Sequence, residues 1–595
     1  MDRNATVGFV LIFMLLMLWM YMNSPKPTPV QQQAQQGIVK KDSAKPIEVK
    51  PQGQKETKSP NLFGEYFAAR AKGIDQAITI ETDLYSAEFT SKGGLITKWE
   101  LKNYKTWDGI PVQLVDYDKR GDYSLLFTTS DGRLVDTRDL YFDVSTSTRN
   151  VTLSGNDEFE LTYTLPTSSG GKILKRFIFR NGVYGFKSDV EFKKMGDVVS
   201  NFEYQIVWEN GLRYAEHNSV DESSFAASYL YSGKELTEVD AAKVDEVAQK
   251  DISGVVDWVG TRTKYFGLAI IPDAGSSDGA FLEGHRKAMP DNGVYESYLV
   301  ALKMPFREGS DEKKSVTVFL GPMDHTILKS YGVNLESMMS LGWAFIVRPI
   351  SEYVMLPFFG FLHLIIPNWG LLIIIFSIII KIVLHPLTKT SMKSMKRMQA
   401  LQPLMDEIKE KYKDDPQKMN SAVMNLYKEY GVNPAGGCLP MLLQMPILYA
   451  LYMVFRSAIQ LRQANFVWWI KDLSIPDVIY SLPFHLPIFG VKDISGLAVF
   501  MGITMFVQQK MSVKDPRQKM MIWMMPIMWV LLFMSFPSGL NLYYTTFNIL
   551  AIGQQMYINK QAEDEPLRKV EPKKKRLGGI FRNIPNDLTK LTKKR

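Results

Sequence analysis

The hydrophobic and polar positions change rhythm along the chain. Between about Phe63 and Leu335 apolar residues often alternate with polar ones, as in Ile78-Thr79-Ile80-Glu81, Lys175-Arg176-Phe177-Ile178-Phe179 and Ser315-Val316-Thr317-Val318-Phe319. A period of two puts one face of a segment in a core and the other in water, and breaks such as Lys92-Gly93-Gly94 and Glu209-Asn210-Gly211 separate the segments. The pattern predicts an antiparallel β-sandwich over residues 61–336. After Trp343 longer apolar runs take over. An amphipathic stretch, 350–366, falls in an interfacial region 337–368, and candidate membrane spans follow at 369–385, 438–455, 494–509, 520–536 and 538–557. An uncharged apolar run at 5–22 follows Arg3 and lacks a small-x-small cleavage site, so residues 1–23 read as an uncleaved anchor. Residues 24–60 are rich in Pro, Gln and Lys and almost free of aromatics, the composition of a flexible linker.

Loop charge orients these spans. Nine cations, from Lys389 to Lys428, lie between the second and third spans, the loop after the fourth carries Lys510, Lys514, Arg517 and Lys519, and the tail 558–595 is basic. All three belong in the cytoplasm, whereas residues 463–492 hold only Lys471 and Lys492. Six spans then place both termini inside and the β domain outside. Lys40 and Lys41 argue for the reverse, but long domains translocate largely regardless of charge.

Composition narrows the function. One cysteine, Cys438, permits no intramolecular disulfide and no thiolate cluster. The six histidines lack HExxH spacing, and neither a Walker loop nor a GxSxG elbow occurs, so the chain reads as neither an enzyme nor a cofactor protein. The net charge of +8 is concentrated in membrane-adjacent segments and favours anionic partners, without any pattern for sequence-specific nucleic-acid recognition.

Candidate chemistry centres on Lys381, a cation inside an apolar run. Such a charge costs about 2.5–3.5 kcal/mol at mid-bilayer and is retained where it reaches water or a partner. Snorkelling to the nearby cytoplasmic surface is the simpler alternative. No acidic residue occurs within the five C-terminal spans, so Lys381 has no obvious internal counter-ion. Ser377 lies one turn before it, and Gln444, Gln508, Gln509, Asn541, Tyr544, Asn548, Gln554 and Gln555 are further polar positions that together permit a hydrophilic groove. Methionines Met521, Met524, Met525 and Met528 form an adaptable apolar surface suited to varied substrate helices, or serve simply as packing. Helices at 390–413 and 417–430, joined by Asp414-Asp415-Pro416, form a basic hairpin within 389–431; Asp415 caps, Pro416 opens and Gly431 ends the second helix. Lys393, Lys396 and Arg397 on the hairpin and Lys573, Lys574, Lys575 and Arg576 in the tail are candidate docking cations.

Several segments resemble the YidC/Oxa/Alb family. They are Pro386-Leu387-Thr388-Lys389, Val432-Asn433-Pro434 with Gly436-Gly437-Cys438-Leu439-Pro440, Gln444-Met445-Pro446, Leu461-Arg462-Gln463-Ala464, and Phe536-Pro537-Ser538-Gly539-Leu540 with Leu542-Tyr543-Tyr544. The resemblance implies a multi-domain membrane protein: an all-α six-span insertase core at 369–557 plus an all-β periplasmic β-supersandwich, in a bacterial inner membrane. It implies insertion and folding of nascent membrane proteins, alone or beside the Sec translocon and its accessory subunits, with the ribosome and the signal-recognition pathway approaching the hairpin and tail, anionic lipids as further partners and no cofactor. It implies a groove open to the cytoplasm and lipid, where Lys381 stands at a position usually held by arginine and Ser377, Gln444 and Tyr544 match polar positions. A lysine can lose its proton when desolvated, which arginine rarely does. A small-solute or ion transporter with an external ligand-binding domain is the competing reading, although no internal repeat supports it.

Overall fold

The computed structural model of the protein describes residues 63–116, 120–307, 311–433, 439–486, 490–512, 519–561 and 569. The anchor, the linker and the tail cations Lys573, Lys574, Lys575 and Arg576 lie outside the described residues.

Alternation builds the first half. In Lys172–Arg180 the inward positions are Ile173, Lys175, Phe177 and Phe179, all fully buried, while their neighbours are half-buried or exposed. This strand pairs antiparallel with Glu158–Pro166 and Gly185–Lys193 in a nine-stranded sheet. A six-stranded sheet centred on Val199–Trp208 and Val294–Pro305 and a five-stranded sheet containing Ala77–Glu81 and Leu95–Lys105 complete the supersandwich. Aromatic rings fill the space between sheets: Phe89 lies 5.1 Å from both Phe177 and Phe179, and Tyr85 stacks on Trp99 at 4.0 Å. Such pairs stabilise by about 0.5–1.5 kcal/mol beyond their buried area.

The inward lysine is held by a turn. Gly93 and Gly94 adopt φ of +75° and +55°, a left-handed conformation that glycine enters without steric cost. Their carbonyls and that of Tyr123 accept from Lys175 Nζ at 3.2, 2.8 and 2.6 Å. Burial still pulls this ammonium down to about 7.

The second half is helical. A turn at Val347–Pro349 runs through a π-helical segment, Ile350–Met355, into a helix at Leu356–His363. The remaining labelled helices, in chain order, are α1 (Trp369–Val383), α2 (His385–Ala400), α3 (Gln402–Lys411), α4 (Pro416–Glu429), α5 (Leu439–Ser457), α6 (Gly496–Ser512), α7 (Lys519–Phe533) and α8 (Ser538–Gln561). Asn368 caps α1 through Leu371 N at 2.9 Å, and α1 meets α2 at a 62° bend where Pro386 follows. α8 packs against both α1 and α6, and α6 against α7. A side chain at Gly502 would meet Val530, so glycine allows the close α6–α7 approach.

The expected spans are only partly recovered. Among the described residues no single helix is long and apolar enough to cross a membrane, and one bent pair, α1 with α2, passes by length and composition. α1 and α7 have 15 residues each, Pro446 and Pro526 lie inside α5 and α7, and α8, though 24 residues long, carries Asn541, Asn548, Gln554 and Gln555.

The hairpin forms as α2, α3 and α4. Its first expected helix is divided at Leu401, where Pro403 opens a new helix in place of continuing the old one. Asp415 caps Lys418 N at 3.0 Å, Pro416 opens α4, and Gly431 at φ +61° ends it. Leu401, Leu426 and Val432 form a small core of its own.

Candidate functional site

Lys381 sits in the last turn of α1 with 8% of its surface exposed. Its Nζ lies 4.2 Å from the ring centroid of Phe547 on α8. A desolvated cation over a ring gains up to about 2 kcal/mol, less than the cost of full burial, so the site is one where further solvation or an anion is favourable. Ser377, fully buried one turn earlier, bonds back to Ile373 O at 2.7 Å and therefore adds no free hydroxyl proton to the groove.

Phe547 stacks on Tyr543 (5.9 Å), Tyr543 faces Phe376 of α1 (6.1 Å), and the Gln444 amide of α5 lies alongside the Tyr543 hydroxyl. Lys381, Phe547, Tyr543 and Gln444 thus form one wall from three helices. Tyr544 points elsewhere, edge-on to Phe533 of α7 at 5.2 Å. Phe547 was not singled out by the sequence, and Tyr543 only as part of the segment Leu542-Tyr543-Tyr544, without a role at the site.

Among the described residues these helices also bury Gln509 Oε1 and Thr545 Oγ1 without hydrogen-bond partners. Each costs about 1–3 kcal/mol when left dry, so they favour a wet or substrate-contacting interior. Met525 accepts from Gln509 Nε2 at 3.1 Å, and Met524 is exposed at 38%; Met528 is half-buried, and the side chain of Met521 lies outside the described residues.

A network of side chains ties the segment before α6 to the start of α8. Asp477, only 5% exposed, accepts from Ser495 Oγ, Trp469 Nε1 and Leu497 N at 2.5, 2.8 and 2.8 Å, and Asn541 Nδ2 reaches Ser495 Oγ at 3.3 Å. Ser538 Oγ donates to Asp472 O at 2.7 Å, which joins the start of α8 to the same segment.

A polar clamp joins the β domain to the outer end of α5. Arg456 pairs with Asp221 and Ser224, Asp221 also accepts from Lys264 Nζ at 2.7 Å, and Arg462 Nε donates to Glu216 at 2.6 Å. Gln463 Nε2 reaches the carbonyls of Lys105 and Thr106 at 3.0 and 3.1 Å. Burial pushes the Asp221 carboxyl up, but the two cations outweigh it and hold it below the usual carboxylate range. The clamp could not be read from sequence because its partners are more than 230 residues apart.

On the hairpin, Lys393 and Arg397 are exposed and Lys396 is half-buried. They lie on α2, beyond the 62° bend that follows Lys381, and are not among the residues of its wall.

Comparison with known proteins follows the same division. The family described as 60Kd inner membrane protein matches residues 361–565, and that described as YidC periplasmic domain matches residues 77–353. A "Membrane protein insertase YidC" of Chlorobaculum parvum (strain DSM 263 / NCIMB 8327) is 39% identical over 580 residues, covering 95% of this chain and 96% of its own. The protein of that description from Chlorobium phaeovibrioides (strain DSM 265 / 1930) is 39% identical over 589 residues, covering 97% of this chain and 100% of its own. Among solved structures, "Active YidC insertase crystal structure with the first transmembrane domain resolved" covers 82% of this chain and 93% of its own at 19% identity and a TM-score of 0.35.

Fold and matches together define the class, an inner-membrane protein with a large all-β periplasmic domain and a helical C-terminal half. Within that class the relatives agree, and the chain belongs to the membrane protein insertase YidC family.

Proposed function

We propose that the protein inserts nascent membrane proteins by drawing an acidic or polar segment of the substrate into the groove beside Lys381. The observation that carries this reading is a buried ammonium with one aromatic contact and no carboxylate partner among the described residues. A visiting carboxylate supplies the counter-charge that the helices lack. The unpartnered polar atoms nearby favour water or substrate in the same space.

In this reading the helices form a six-span core with both termini in the cytoplasm, and Asp477 with its partners closes the groove toward the periplasm. Met524, Met525 and Met528 face the emerging substrate helix, where unbranched thioethers adapt to varied shapes. The hairpin cations Lys393, Lys396 and Arg397 and the tail cations Lys573 to Arg576 meet the ribosome, the signal-recognition pathway and anionic lipid. The Sec translocon joins for larger substrates. No group-transfer chemistry is involved, and the driving force is transfer of the substrate's apolar span into lipid.

Reconstitution of the full chain in liposomes with a short single-span substrate tests the proposal. Protease-protected substrate should appear with wild type and Lys381→Arg and fall with Lys381→Ala. Solute flux without substrate protection would instead support a transporter.

A further inference from the structure

The structure holds a cavity away from Lys381, where the β domain meets the C-terminal helices. It encloses about 640 Å³ between the short helix His325–Ser330 of the β domain, the helix Leu356–His363, the start of α1 and the end of α5. Its interior is apolar, with Phe359, Ile373, Val454, Phe455 and Leu461 among its walls. Its polar groups include His325, Thr326, Lys329 and Ser330 of the β domain, His363 of the interfacial helix and Gln460 after α5.

Three observations specify an occupant. First, Gly360 faces the cavity from mid-helix, and a side chain there would meet nothing within 4 Å. Glycine costs about 1 kcal/mol in a helix relative to alanine, and here no neighbour demands it; its effect is to leave the space open. Second, His363 Nδ1 is buried without a hydrogen-bond partner among the described residues, while His325 Nε2 faces the Glu352 carboxylate at 3.5 Å, so the cavity presents one unused polar atom beside an apolar interior. Third, the mouth lies at the membrane surface. Tyr353, Phe361, Leu364 and Ile365 around it are 63–84% exposed, His363 stacks on Trp369 at 4.2 Å, and the exposed Lys329 ammonium stands 5.9 Å from the Tyr353 ring. Exposed apolar and aromatic residues beside a cation mark the headgroup level of a bilayer.

A helix about 10 Å across needs an open trough, whereas this space is walled by helices from both domains and suits a single chain. The geometry points to a binding site for an anionic glycerophospholipid of the outer leaflet, one acyl chain in the cavity and the phosphate at Lys329, with His363 meeting the polar linkage between them. A lipid seated there fills the junction between the β domain and α5, beside the Asp221–Arg456 clamp, and joins the periplasmic domain to the bilayer. This site is separate from the Lys381 wall and does not depend on the groove mechanism.

The test uses the full chain in liposomes containing phosphatidylglycerol with a photoreactive group at the end of one acyl chain. Illumination and peptide mapping should label residues 356–369 and 454–461 in wild type. Gly360→Trp, which plugs the space, should lose label at 454–461 while retaining label at the exposed Leu364 and Ile365, where bulk lipid also reaches. Lys329→Glu should lose the 454–461 label for phosphatidylglycerol but keep it for a photoreactive diacylglycerol. Unchanged labelling in Gly360→Trp, with its thermal midpoint preserved, would leave only annular lipid and overturn the proposal. Displacement of the label by inorganic phosphate would assign an anion site without an acyl chain, and would overturn it too. Substrate insertion should persist in Lys329→Glu, which separates this site from the groove.

Discussion

Replacing Lys381 by alanine should change selectivity for substrate charge more than overall capacity. In the structure its ammonium has Phe547 at 4.2 Å and lacks an acidic partner among the described residues. Other cations on these helices are accounted for: Arg456 is paired with Asp221, and Lys510, Lys519 and Lys560 occupy terminal turns. A carboxylate approaching to about 4 Å gains about 1 kcal/mol if the groove has the dielectric of water and about 4 kcal/mol at an effective dielectric of 20. Since about 1.4 kcal/mol is a factor of ten, Lys381→Ala should reduce capture of an acidic-tailed substrate by about five-fold to roughly 800-fold relative to a tail with Asn in place of Asp. Arginine should preserve the ratio, because it supplies the same charge with more donors. The assay is the initial rate of protease protection for the two tails in liposomes, measured in parallel for wild type, Lys381→Ala and Lys381→Arg. An acidic-to-neutral ratio that alanine leaves unchanged would refute attraction at this side chain, whatever happens to the absolute rates.

Three further outcomes are expected. Asp221→Asn strands Lys264, whose side chain is 2% exposed, and removes the pairing of Arg456, so the thermal midpoint of the full chain in detergent should fall by an amount equivalent to about 3–5 kcal/mol; an unchanged midpoint would mean that the clamp is not structural. Burial raises the Glu222 carboxyl to about 8, against hydrogen bonds from Ala215 N and Glu216 N, and raises Glu296 to about 7, so both groups bind a proton in the folded state that they release when unfolded. Their stabilisation is complete below pH 4.5 and is lost as pH rises toward 8, and Glu222→Gln should flatten, without abolishing, the decline in unfolding free energy between those values; an identical slope in the variant counts against a protonated Glu222. Asp415→Ala removes the cap of α4, and amide exchange at Lys418 should accelerate while exchange in α1 stays constant; equal protection in variant and wild type would show that the cap is dispensable.

The sequence revealed most where one residue acts on near neighbours. Ile78 and Ile80 read as inward positions because half-buried strands impose a period of two, and both are buried. Asp415, Pro416 and Gly431 announced the limits of α4 because caps, first-turn prolines and left-handed stops are local devices. The division at Leu401 had a local signal in Pro403, but the basic, methionine-rich periodicity on either side reads as one helix. Lys175 was hidden for another reason. Its partners are carbonyls, which no residue letter encodes, brought close by a turn 81 residues away. At the groove, Lys381 and Ser377 were visible as charge and hydroxyl in an apolar run, while Phe547 and Tyr543 acquire meaning only when α8 lies against α1.

Short helices and buried polar groups point to one physical arrangement. α1 and α7, at 15 residues and about 1.5 Å per residue, extend roughly 22 Å, against about 30 Å of hydrocarbon. For helices that span as proposed, flanking residues and local thinning make up the difference, because tilt only enlarges the mismatch for a helix already too short. On the same reading Lys381, in the last turn of α1 next to the 62° bend, lies where a shortened apolar layer would bring water nearest. A longer, fully apolar helix would pass the test for a membrane span more easily, yet it would place the same ammonium deeper and raise the cost of keeping it charged. On the proposed reading, the features that make these helices poor spans also keep Lys381 hydrated, while the clamp at Asp221 and Arg456 ties the end of α5 to the β domain.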